Sequence, residues 1–173
     1  EELLADSNRL LDQLKALDEQ KRKQLDGLID DAQAGDPIKG RAVFFAANSK
    51  CSSCHRIGTE GGQIGPDLTT VGRIRDEKDL LESIVFPSAS LAREFEPYTV
   101  LLTDGRVISG IVVHETTASI HVQQSEGKPL IIARDEVDSI VPSTISIMPQ
   151  GLQKTLSENE LADLVAFLRT LKK

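Results

Sequence analysis

The hydrophobic period of this chain changes twice along its length, and the order of those changes restricts what it can fold into. Up to about residue 93 apolar positions recur at helical spacing, from about Phe95 to Pro142 they alternate, and after Pro142 the helical spacing returns. The middle stretch, "EPYTVLLTDGRVISGIVVHETTASIHVQQSEGKPLIIARDEVDSIVP", is rich in β-branched residues and is punctuated by Asp104-Gly105 and by Ser125-Glu126-Gly127-Lys128. That pattern predicts four or five short antiparallel strands joined by tight turns. The strands are flanked by helical pattern on both sides, so residues 94–142 are expected to form a small, curled, barrel-like β unit inserted into an α domain made of residues 35–93 and 143–173.

Ahead of that domain, residues 1–34 form a helical extension. Leu3, Leu4, Leu10, Leu11, Leu14, Leu17, Leu25 and Leu28 make an apolar stripe among charges, and Glu19 and Lys23 are placed to pair one turn apart. The stripe predicts a helix or helix pair that packs on a neighbouring module; self-association as a coiled coil is the alternative, weakened by an irregular heptad. The chain does not begin with Met and no signal peptide opens it, so it reads as a processed form or as the C-terminal part of something longer.

Local signals mark the remaining helices. Asp36 is a plausible N-cap and Pro37 the first helical residue of a short helix over about 37–47. "TEGGQIGPDLTTVG" is a Gly-rich loop, and "RDEKDLLESIVFPS" a helix stopped by Pro87. In "LSENELADLVAFLRTLKK", Ser157 and Glu160 form a capping box, and Leu161, Leu164, Val165, Leu168 and Leu171 share one face. The net charge of −7 is spread along the chain, which argues against a nucleic-acid or anionic-membrane surface. No apolar run approaches bilayer length, so direct membrane insertion is not expected.

Cys51 and Cys54, in "NSKCSSCHRIG", are the only cysteines of the chain, and His55 follows them directly. A redox disulfide of the Cys-x-x-Cys type belongs in a βαβ setting, whereas here a helical pattern precedes the motif and the strands lie far downstream. A structural zinc ion needs four ligands. Beyond His55 only His114 and His121 are available, separated by six residues in the strand region and outside zinc-finger spacing, where they read as ordinary polar strand residues. Covalent heme uses all three residues of the motif, because two thiols one helical turn apart can each join one vinyl group while the next residue offers an imidazole to the iron. Heme also supplies an apolar, aromatic mass to a chain with 3% aromatic residues and no Trp.

On that favoured reading His55 is the proximal iron ligand, and a soft or nitrogenous side chain downstream fills the sixth position. The single methionine, Met148, lies in "TISIMPQGL", stiffened by Pro149 and flanked by Ile145 and Ile147. A lone Met is otherwise a core filler. These residues favour a closed, six-coordinate iron and an electron carrier rather than an enzyme; a heme-based ligand sensor and a zinc-binding interaction module are the alternatives.

With "GDPIKGRAVF", "CSSCH", "GPDLTTVG", "ISIMPQGL" and "LADLVAFLRTL" in hand, residues 35–173 resemble a class I cytochrome c, and more narrowly the C-terminal heme modules of large secreted bacterial proteins that often carry dehydrogenase-like domains. The resemblance implies one heme c per chain, thioether bonds at Cys51 and Cys54, and iron ligation by His55 and Met148. It also implies that the Pro66 carbonyl accepts the His55 Nδ1 proton. Ile64, Leu68, Val71 and Ile147 would line the pocket, and Arg73 or Arg75 would face a propionate. Gly40 and Phe44 would mark where the first helix of this fold crosses the last, at Leu164, Phe167 and Leu168. Residues 94–142 depart from the small members of the class, and their pattern is similar to an Sm-like or SH3-like barrel. Single electrons would pass from a dehydrogenase module, fused or separate, toward a respiratory chain, in a periplasmic or otherwise exported protein.

Overall fold

The computed structural model describes residues 2–32 and 34–172, with the side chains of residues 2–5, 8 and 30–32 outside that description. The first helix, α1 (Glu2–Ala32), is continuous rather than a helix pair. Among the described side chains its stripe is covered only near its C-terminal end: Leu25 is buried, and Leu28 and Ile29 pack against the helical core. Leu10, Leu11, Leu14 and Leu17 are 50–58% exposed, and Leu3 and Leu4 lie outside the described side chains. Lys23 Nζ and Glu19 pair at 2.9 Å as their spacing requires.

The short helix α2 (Pro37–Phe45) begins as its sequence dictates. The Asp36 carboxylate accepts hydrogen bonds from the backbone N–H groups of Ile38 and Lys39, and Pro37 occupies the first turn. Next come α3 (Cys51–Cys54), a two-residue hairpin of β1 (Arg56–Ile57) and β2 (Glu60–Gly61), α4 (Val71–Ile74) and α5 (Glu77–Val85), which Asp76 caps. The last helix, α6 (Glu158–Thr170), opens with the complete Ser157/Glu160 capping box.

Crossing of α2 over α6 organises the α domain. Gly40 is buried at the crossing point, where a Cβ would stand 1.8 Å from the backbone oxygen of Asp163 and 2.7 Å from Phe167 Cβ. Only a residue without a side chain lets the two backbones approach so closely. The Asp36 N–H donates to Asp163 Oδ1 at 2.6 Å, and the rings of Phe44 and Phe167 meet at 6.1 Å. Phe44, Leu81, Leu164 and Val165 are the deepest members of a core that also takes in Leu25, Val71 and Leu168.

The inserted sheet has five strands: β3 (Tyr98–Leu102), β4 (Val107–Glu115), β5 (Ser119–Gln123), β6 (Leu130–Ala133) and β7 (Val137–Pro142). They are antiparallel in the order β6-β5-β4-β3-β7. β4 serves two halves, its first residues pairing with β3 and its last with β5, and the sheet curls enough for β3, β5, β6 and β7 to feed one second core around Val100, Ile120, Val122 and Ile132. The expectation of a barrel-like unit is corrected in one respect. The sheet is open, with β6 and β7 as its two ends and no ladder between them among the described residues. Closure depends on the register of the two end strands, which an alternating pattern does not encode. Among the described residues no helix is long and apolar enough to cross a membrane.

Candidate functional site

The site is built where α2 stops. The Ser49 hydroxyl, fully buried, donates to the Ala46 carbonyl at 2.9 Å, and Lys50 adopts a left-handed backbone (φ 57°) that reverses the chain into α3. One turn later the His55 N–H donates to the Cys51 carbonyl at 2.9 Å, closing a single helical turn that carries Cys51 and Cys54 three residues apart. Residues at that spacing lie on one face of a helix. Both cysteines are free thiols, half-buried; burial pushes the Cys51 thiol up from its usual range, opposed by its contact with Ser49.

His55 leaves the turn in an extended conformation (ψ 140°), and its Nδ1 lies 2.9 Å from the Pro66 carbonyl. A carbonyl can only accept, so Nδ1 carries the proton and Nε2 keeps its lone pair. Burial pushes the imidazole below its usual range, with the Pro66 hydrogen bond opposing, so the neutral form is favoured. Neutral imidazole with a free Nε2 is the state that binds a metal.

Residues 59–70 wrap the motif and hold that carbonyl in place. The N–H groups of Gly62, Gly65 and Leu68 donate to the carbonyls of Ser52, Cys54 and Arg56 at 2.9, 2.8 and 2.8 Å. Gly65 lies against the His55 ring, where a Cβ would stand 2.6 Å from Cε1. Asp67 braces the loop by accepting from the Thr69 hydroxyl and N–H and from the Arg56 guanidinium, bonds that hold its carboxyl down at about 2. The carboxylate is therefore charged at neutral pH.

Cys51, Cys54, His55 and Pro66 are thus brought together. Ile64 and Leu68 are half-buried in the wrapping loop, Leu68 against the helical core, and Val71 is inside that core. Arg73 and Arg75 are exposed and line a groove with the start of α5 and the end of α6, in which none of Cys51, Cys54, His55 or Met148 takes part. Met148 and Ile147 are half-buried in the segment between β7 and α6, while Ile145 is 69% exposed. Four hydrogen bonds tie that segment down: Ser143 N–H to the Pro97 carbonyl at 2.8 Å, Ile145 N–H to Ser143 Oγ at 3.1 Å, Ser146 N–H to Ser88 Oγ at 3.0 Å and Met148 N–H to Ser146 Oγ at 3.1 Å. Among the described residues no three His, Cys, Asp or Glu side chains converge as a metal-binding group, so the zinc reading finds no ligand set.

One neighbour of the motif escapes sequence reasoning. The β5–β6 turn reaches the cysteines, with the Ser125 carbonyl 3.7 Å from Cys54 Sγ and Glu126 paired to Lys50 Nζ at 2.8 Å. Gln123, almost fully buried, shapes the turn by donating its side-chain amide to the carbonyls of Gln124 and Gly127 at 2.7 and 3.1 Å. Residues 50 and 126 share no local pattern, and opposite charge alone is too common a signal to have joined them.

Residues 38–96 match the sequence model of the Cytochrome c family. The match runs from α2 through the cysteine motif, the wrapping loop and α5, and stops short of β3. It supports a c-type cytochrome, an electron-transfer module with covalently bound heme. The site fits that group: two free thiols on one turn and a neutral imidazole with Nε2 unengaged are the donors it requires. No curated protein matches the chain.

Proposed function

We propose that the chain is a monoheme cytochrome that carries single electrons, with Cys51 and Cys54 as the thioether residues, His55 as proximal ligand and Met148 as distal ligand. The observation that supports this most strongly is the His55–Pro66 hydrogen bond at 2.9 Å, beside two free thiols on one helical turn. The group, when bound, supplies an iron that changes by one unit of charge. Everything else is the work of the chain. Pro66 fixes the tautomer and orientation of the imidazole and raises its basicity. Gly65 leaves room for the ring, and the serine-tied segment around Met148 offers a thioether sulfur from a backbone that need not move on electron transfer. The β5–β6 turn covers Cys54 and gives the insertion a role in shielding this edge of the site from water.

Thioether attachment of heme takes place outside the cytoplasm, so the protein is assigned to the periplasm or another exported location. Its partners are redox proteins, a dehydrogenase module on the donor side and a respiratory chain on the acceptor side. The test is a redox titration of the untreated protein under carbon monoxide and under argon. A reversible one-electron transition equal to one heme per chain, unchanged by carbon monoxide at neutral pH, is expected. Tight carbon monoxide binding to the reduced protein would replace the carrier by a ligand sensor.

A further inference from the structure

We propose that His114 and His121 form a binding site for one divalent transition-metal ion on the inserted sheet, separate from the cysteine motif. Separated by six residues in sequence, the two are direct partners across the β4–β5 ladder. A bulge makes them so. Ile111 pairs with Gln123 and Val112 with Val122, and then the register shifts by one so that His114, rather than Val113, opposes His121. In an unbroken ladder Val113 would take that place and the His114 side chain would stand on the other face of the sheet. An extra residue that re-aims a side chain is a recurrent feature beside functional sites.

The two rings stand 5.0 Å apart between centroids, with their planes at 72°. Imidazole nitrogens bind zinc at about 2.0–2.1 Å; the two rings meet edge to face, so side-chain rotation is what turns a nitrogen of each toward one shared ion. His114 is exposed and His121 half-buried, so the pair is reachable from water. Among the described hydrogen bonds none engages a nitrogen of either ring, in contrast to His55, whose Nδ1 is taken by Pro66. The carboxylate nearest in sequence, Glu115, is held by Arg134 at 3.0 Å. No third protein ligand joins the pair among the described residues, so water or a donor from another molecule completes the shell. Imidazole selects zinc, copper or nickel rather than magnesium or calcium.

Zinc binding to the full chain, measured by calorimetry alongside a thermal scan, tests the site. The unmodified protein is expected to bind one equivalent reversibly and to melt at a higher temperature with zinc present. His114→Ala and His121→Ala should each weaken binding at least about tenfold, since loss of a direct ligand costs no less than loss of its supporting partner. Both positions are outside the buried core, so circular dichroism should show the fold intact in each variant. No binding with zinc in excess, or binding that survives either substitution, would overturn the proposal. Zinc held by Cys51, Cys54 and His55 in a chain without heme would survive both and so count against it.

Discussion

Met148→Ala is expected to leave heme attached while opening the sixth coordination position, so that the reduced protein binds carbon monoxide and the oxidised protein loses its sulfur-to-iron charge-transfer band. The reduction potential should fall as well, because methionine ligation holds it above that of alternatives with nitrogen or water. The effect should be confined to the iron, since the hydrogen bonds that fix residues 143–148 come from Ser88, Ser143, Ser146 and Pro97 and involve only the backbone of Met148. His114→Ala and His121→Ala should leave the band and the carbon monoxide response unchanged. Should either of them abolish the band instead, the ligand assignment fails.

Gly40→Ala is expected to destabilise this protein strongly for a single added methyl group. The new Cβ would stand 1.8 Å from the Asp163 oxygen and 2.5 Å from the Asp163 carbonyl carbon, both backbone atoms that no rotamer change can move aside. Relief requires α2 to lift off α6, which uncovers Phe44 and Phe167 and stretches the Asp36 to Asp163 hydrogen bond. Overpacking that moves backbone costs about 1–3 kcal/mol, occasionally more, and the upper end is expected here, to be read from the denaturant midpoint. Gly27→Ala is the control. It lies on the exposed face of α1 with nothing within 4 Å of an added Cβ, and alanine there should stabilise by about 0.5–1 kcal/mol. Equal midpoints for the two variants would refute the close crossing.

What could be read from the sequence was local in its physics. Asp36 with Pro37 and Ser157 with Glu160 announce helix starts because a cap is satisfied within four residues, and the Cys51–His55 motif is legible because three donors sit on one turn. The Leu stripe correctly signals a helix, yet periodicity says nothing about which turns find a partner: Leu25 is 3% exposed and Leu14 58%. Strand register is equally silent. The bulge after Val112 adds one residue to an alternating pattern that tolerates either reading, and with it goes the pairing of His114 with His121. The Lys50–Glu126 contact spans most of the inserted unit, so it follows from how the sheet docks rather than from either sequence segment.

The central claim is covalent heme on Cys51 and Cys54, and the most direct measurement is the mass of the acid-denatured chain, produced in a host that attaches heme in an exported compartment. A mass equal to the chain plus one heme, with neither cysteine open to alkylation, is the predicted result. A mass equal to the bare chain, with both thiols alkylated, would contradict it.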